Sequence, residues 1–308
     1  MIYLIIAIVC ASLFSIMLKI SQENNINSQQ VIFFNYVFGL VISLIPIGGH
    51  IVSGQVAAAS YWLPAVSMLL VLVQGAFFAG GFNLMDQSVW RSGVALTTAS
   101  AKTSLIVPVI LSWLLFGQSR PSWFLVALIL AAMLLMILPN RAQYHDESQR
   151  RSATDAIRQR KAAVYLAVVF VVYGCSDFML KVVQQSISSA SASPDDVACR
   201  LSSLTPGIFL ASALFSGLIC LAKGSFRQQK VSRKSLLAGL VLGLANYFAT
   251  DCSFRALASM STSLFYPLYN VGIVAIATLV GIGFFKEKIR WPQVLGLVLA
   301  AVAIALAR

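Results

Sequence analysis

The chain has 308 residues, is 59% hydrophobic and only 10% charged, and carries a net charge of +12 with a mean hydropathy of +0.85. That balance excludes an ordinary water-soluble domain, because the apolar residues fall in long unbroken runs that a single soluble core cannot absorb. The excess of Lys and Arg is explained by membrane topology and contact with anionic lipid, with no nucleic-acid partner required.

A bilayer-crossing helix needs about 20 apolar residues. Runs of that kind fall at 2–20, 31–48, 62–85, 93–116, 122–139, 162–182, 203–222, 235–254, 260–283 and 291–307. Barrel strands would be shorter and alternating, and a backbone in lipid must satisfy its own hydrogen bonds, so the expectation is an all-α membrane protein of ten transmembrane helices. The first run starts at Met1 without a basic leader and is too long for a signal-peptide core, which reads as a retained helix. The expected location is a bacterial inner (plasma) membrane.

In chain order, the second run carries Asn35 and Tyr36, and the third carries Gln74 and ends near Asp86. The fourth contains the sharpest feature, Lys102, near the middle of an apolar segment with no acid in it. A cation at that depth costs about 2.5 kcal/mol or more, so Lys102 should face the bundle interior or a wet cavity. Its candidate roles are an anchor for a substrate carboxylate or phosphate, or one half of an interhelical ion pair. Pro108, on the same run, cannot donate a backbone hydrogen bond and should free the carbonyl of Ser104. A polar segment at 140–161 reads as a linker, and its lone His145 beside Asp146 and Glu147 reads as a solvated loop rather than a metal site.

The sixth run holds Asp177 and Lys181, and the eighth holds Asn246, Tyr247, Asp251 and Arg255. Asp177–Lys181 and Asp251–Arg255 are both spaced four apart with the acid first, the favourable order for a pair on one helix face. Each pair is therefore expected either to neutralise itself or to serve coupling. In the ninth run Tyr266, Tyr269 and Asn270 surround Pro267, which should free the carbonyl of Ser263. Gly239 and Gly243 form a small-xxx-small pattern suited to close helix packing inside the bundle. The five cysteines are odd in number and mostly intrahelical, which argues against a disulfide framework.

The chain also resembles itself. Tyr3-Leu4 and Met17-Leu18-Lys19 recur as Tyr165-Leu166 and Met179-Leu180-Lys181 at an offset of 162, and Ser92 to Leu96 matches Ser261 to Phe265 at an offset of 169. Five helices, 1–139, are thus followed by five related ones, 162–308, and an odd repeat inverts the second copy. Asp177 has Ser15 at its counterpart position, so the acid breaks the symmetry and is a candidate proton-coupling carboxylate. Counted over the two sides that ten alternating helices define, with Lys102 set aside, the basic residues divide 16 against 5. By the positive-inside rule the richer side is cytoplasmic, which puts both termini outside.

Ser100-Ala-Lys102-Thr-Ser104-Leu-Ile-Val-Pro108, Leu242-Gly-Leu-Ala-Asn246-Tyr247, Tyr266-Pro267-Leu-Tyr269-Asn270-Val-Gly272 and Phe285-Lys-Glu287-Lys, together with the paired halves, resemble the EamA-type permeases of the drug/metabolite transporter superfamily. The resemblance covers essentially the whole chain and implies two inverted five-helix repeats around a central cavity. Gln118 departs from it where the second half has Glu287, as does the termini-outside orientation. It implies transport of a small metabolite, in this superfamily amino acids, nucleosides, sugars or others.

The resulting expectation is a secondary permease moving a small polar or anionic metabolite by alternating access, not an enzyme and without a cofactor or nucleotide-binding motif. Substrate-binding candidates are Lys102, Ser104, Asn35, Tyr36, Gln74, Asn246, Tyr247, Tyr266, Tyr269 and Asn270, and coupling candidates are Asp177, Lys181 and Asp251. Expected partners are the solute, membrane lipids and protons as coupling ion, with the chain a monomer or homodimer. The alternative is a lipid-headgroup flippase or membrane enzyme in which Lys102 holds a phosphate.

Overall fold

A computed structural model describes residues 1–23, 26–53, 61–92, 94–117, 122–137, 153–190, 194–228, 230–283 and 291–306, and no strand occurs among them. Among the described residues, each apolar run of the sequence lies mostly in helix. The elements are α1 (Ile2–Glu23), α2 (Ser28–Val52), α3 (Ala65–Ser92), α4 (Val94–Thr103), α5 (Ile106–Phe116), α6 (Trp123–Ile137), α7 (Ala153–Ala190), α8 (Pro194–Ala222), α9 (Ser225–Gln228), α10 (Arg233–Ser259), α11 (Thr262–Gly283) and α12 (Trp291–Leu306). Ser28–Val52, Ala65–Ser88, Ala163–Ala190, Asp195–Ala222 and Arg233–Ser259 are long and apolar enough to cross a membrane, and shorter apolar helices accompany them.

Where the ends can be explained, the explanation is local. Asn27 caps α2 by accepting from the backbone N–H groups of Gln29 and Gln30 at 3.0 and 3.3 Å, and Ser232 accepts from Ser235 N at 3.0 Å to start α10. Gly117, after α5, is left-handed at φ 58°, a conformation only glycine adopts without cost. Several boundaries differ from the sequence reading: α7 begins at Ala153, inside the stretch read as linker, α8 begins at Pro194, well before the run read from 203, and the fourth run is two helices, not one. Residues 138–152, with His145, lie outside the described residues, as do Gln118 and Glu287.

Helix α10 packs along α2 and α1, while α3 packs along α8 and α7; α2 also meets α8, and α6 meets α12. The closest approaches sit at small residues. A Cβ on Gly239 would stand 2.4 Å from Phe34 Cβ, and one on Gly243 would stand 2.8 Å from the Asn35 carbonyl, so the expected small-residue pattern does seat α10 on α2. On the other side a Cβ on Gly75 would stand 2.4 Å from Ala211 Cβ, where α3 meets α8. The outer faces carry apolar stripes, such as Leu210, Leu214, Leu218 and Leu221 on α8 and Leu237, Val241, Leu244 and Phe248 on α10. Bands of this length left uncovered would be a liability in water and suit acyl chains. All five cysteines are free thiols.

Candidate functional site

The break in the fourth run sets the geometry. Helix α4 stops at Thr103 because its last carbonyls take side-chain and tight-turn partners: Thr103 Oγ1 donates to Ser100 O at 3.2 Å, Ser104 Oγ to Ala101 O at 2.6 Å, and Leu105 N to Lys102 O at 3.4 Å. Pro108 has no N–H to offer Ser104, as the sequence suggested, yet that carbonyl is not left open; Val107 N donates to it at 2.9 Å. Helix α11, by contrast, runs unbroken through Pro267. Ser104 is therefore buried and committed to the turn.

This break puts Lys102 in the last turn of α4, at the negative end of the helix dipole. A cation there gains about 0.3–1 kcal/mol. Its Nζ lies 6.0 Å from the centroid of the Tyr269 ring, an arrangement that contributes about 0.5–2 kcal/mol. Together these fall short of, or only just reach, the cost of about 2.5–3.5 kcal/mol for a lysine at the centre of a membrane helix. Asp177 adds an electrostatic attraction without closing an ion pair.

Asp177 reaches the site because Gly174, one turn earlier on α7, lets that helix lie against the start of α5. A Cβ on Gly174 would stand 2.7 Å from Val107 Cβ and 3.2 Å from the Ser104 carbonyl. Asp177 and Lys102 act on each other electrostatically, and Asp177 acts in the same way on the phenols of Tyr173, Tyr266 and Tyr269. Yet among the described residues the two charges make no ion pair, and neither charged head has a hydrogen-bond partner. Lys102, Asp177, Tyr173 and Tyr269 lie deep in the bundle with protein on every side, but each keeps part of its surface uncovered. Tyr266, by contrast, is fully covered; its hydroxyl donates to the Asp177 backbone carbonyl and its ring meets Phe265 edge-on.

The other sequence candidates divide into separate groups. Asn246 Nδ2 donates to Asn35 Oδ1 at 3.3 Å and Thr250 Oγ1 to Asn246 Oδ1 at 3.5 Å, a buried polar seam between α2 and α10. Gln74 Nε2 donates to Ser176 Oγ at 3.3 Å, one residue from Asp177. Tyr36 packs between Phe82 and Phe209, its ring tilted by 46° to each, with Tyr247 packed against the same group. Three of these residues carry a buried polar atom without a partner among the described residues: Asn35 Nδ2, Tyr36 Oη and Gln74 Oε1. Asn270 Nδ2 donates to Tyr266 O at 3.1 Å within its own helix.

The two acid–base pairs part company. Arg255 Nε donates to Asp251 Oδ2 at 2.7 Å, so that pair neutralises itself as the spacing suggests. Lys181 does not turn back to Asp177. It is 5% exposed and donates to Gln184 Oε1 at 2.6 Å and to Leu257 O at 3.2 Å, in the last turns of α10, where carbonyls lack helical partners.

No family model matches the chain. A protein of Haemophilus influenzae described as uncharacterized is 24% identical over 303 residues, covering 98% of this chain and 95% of that one. A solved crystal structure covers 99% of this chain and 95% of its own at 14% identity, with a TM-score of 0.69. The overall helical arrangement is thus one that another protein adopts.

Sequence reasoning missed Tyr173. Its signal was its place four residues before Asp177 on one helix, which sets both on one face. It also missed the break after Lys102, whose only trace was Thr103-Ser104 ahead of Pro108, a run of hydroxyls able to close a helix end.

Proposed function

We propose that the protein is a secondary permease that moves a small polar or anionic metabolite by alternating access, with Lys102 as the anchor for the solute's negative group. The observation that carries the reading is a cation without an ion pair among the described residues: Lys102 lies deep in an apolar bundle, keeps uncovered surface, and has an acid nearby to which it is not bonded. A purely structural charge pair at this depth would be expected to close, because an ion kept from both water and partner is heavily penalised. The open buried atoms of Asn35, Tyr36 and Gln74 support a hydrated interior, since each costs about 1–3 kcal/mol unless water or a solute meets it.

Two inverted five-helix repeats, 1–139 and 162–308, around a central vestibule are part of the same proposal. What supports them is the pairing of contacts. If α1 and α7 are counterparts, as are α2 and α8, and α3 and α10, then α10 on α2 answers α3 on α8, and α1 on α10 answers α7 on α3. The pairs α2–α8 and α6–α12 answer themselves. A helix broken beside its charged residue is also a recurring feature of transporter sites. In this reading the protein resembles the EamA-type permeases, with ten spans in a bacterial inner membrane and both termini outside, and Asp177 carries the coupling proton.

Proteoliposomes supplied with a mixture of labelled amino acids, nucleosides, sugars and organic acids test the reading. Accumulation of one class, lost in Lys102→Met, is the expected result. No accumulation of any class, with scrambling of labelled lipid instead, would replace it by the flippase reading.

A further inference from the structure

Lys181 is buried, yet the partners it has among the described residues are neutral. Its Nζ donates to Gln184 Oε1 at 2.6 Å on its own helix and to Leu257 O at 3.2 Å near the end of α10. Gln184 is oriented for this, because its Nε2 donates to Ser188 Oγ at 2.8 Å and leaves the amide oxygen to the ammonium. One side chain thus bridges α7 to the last turns of α10, where helix carbonyls lack partners of their own and the dipole favours a cation. A buried ion pair in its place would be expensive to break. Neutral oxygens, which water can replace, let the bridge release and form again.

The sequence repeat supplies a second lysine at the matching place. Met17-Leu18-Lys19 stands in the C-terminal part of α1 as Met179-Leu180-Lys181 stands in that of α7. With α3 the counterpart of α10, the matching acceptors for Lys19 are the carbonyls that close α3. The two halves differ at this point, since α7 meets α10 whereas α1 and α3 do not pack along each other. One end has made its contact and the other has not.

We infer that Lys181 and Lys19 are alternate latches: Lys181 closes one end of the bundle by bridging α7 to α10, and Lys19 closes the opposite end by bridging α1 to α3 in the other state. The inference rests on the transport reading above and deepens it by naming the residues that hold each state. With both termini outside, the ends of α7 and α10 face outward and those of α1 and α3 face inward. The structure is then the state closed to the outside. Arg255 does not share the role, because Asp251 on its own helix already holds it.

The test uses the purified full-length protein in lipid nanodiscs, its cysteines replaced by Ser, with spin labels at Ser189→Cys on α7 and Ala258→Cys on α10, both exposed positions. Double electron–electron resonance reads the distance between them. Lys181→Met should raise the share of the longer, open distance by about tenfold, the equilibrium effect of losing one charge-assisted hydrogen bond. Adding Lys19→Met should then return the distribution toward the short distance, because the other end has lost its latch too. A lysine that only stabilises the fold would not be reversed by the second change. An unchanged distribution in Lys181→Met overturns the inference, and so does a double variant at least as open as the single one. Should Lys181→Met fail to fold, Gln184→Leu removes one acceptor and carries the same prediction. Uptake in proteoliposomes with no shift in distance removes the latches and leaves the permease standing. The expected shifts with no uptake of any solute uphold the latches and remove the transport reading.

Discussion

Two acid–base constellations in this bundle look alike in sequence and differ in space. On α10, Asp251 and Arg255 are one turn apart and close at 2.7 Å, with Arg255 partly exposed near a helix end. On α7, Asp177 and Lys181 have the same spacing, yet Lys181 turns to α10, and Asp177 interacts electrostatically with Lys102 without an ion pair among the described residues. The first pair spends its charge locally and is worth about 0.3–0.5 kcal/mol, as such helical pairs usually are. The second leaves two opposite charges open deep in the bundle. Spacing on one helix therefore does not decide whether a buried acid is neutralised; what its neighbours offer the base decides it.

The largest expected effect separates the two regions. Lys102→Met should lower uptake by about 100-fold or more, equivalent to about 2.7 kcal/mol, with protein still in the membrane fraction. Arg255→Met should leave uptake within a few-fold of normal. Comparable losses in both would erase the distinction.

Next comes the packing that carries Asp177 to its place. Gly174→Ala forces a Cβ within 2.7 Å of Val107 Cβ, and overpacking of this kind costs about 1–3 kcal/mol. A lowered melting temperature and reduced uptake are expected together. Gly80→Ala, on α3 with nothing within 4 Å of the added Cβ, serves as the control and should do little.

Coupling sharpens the contrast further. Asp177→Asn should flatten the dependence of uptake on pH, while Asp251→Asn should keep its shape; an unaltered profile in Asp177→Asn would remove the acid from coupling. The smallest effect concerns the closed pair itself. A double-mutant cycle of Asp251→Asn and Arg255→Met should return a coupling of about 0.3–0.5 kcal/mol in thermal unfolding.

Much of the architecture could be read from the residues alone. Apolar runs locate the helices because lipid allows few alternatives, and Gly239 and Gly243 mark the α2–α10 seam because only small residues let backbones come that close. The site was legible in part. Lys102, Asp177, Tyr266 and Tyr269 stand out as polar residues in apolar surroundings, and the fold gathers them. Asn35 and Asn246 looked equally eligible and instead bond to each other, since a helix-buried amide satisfies itself with whichever neighbour packing supplies. The turn after Lys102 and the diversion of Lys181 to Leu257 O depend on hydrogen bonds between particular carbonyls and side chains, which no periodicity encodes.

The central claim is that Lys102 faces a hydrated space inside the bundle. With Cys10, Cys175, Cys199, Cys220 and Cys252 replaced by Ser, Lys102→Cys can be treated in intact membranes with a charged, membrane-impermeant methanethiosulfonate. Labelling from the aqueous phase without denaturation is the expected result. A thiol that stays unlabelled until the protein is denatured would place the side chain in lipid or in a dry contact and contradict the account.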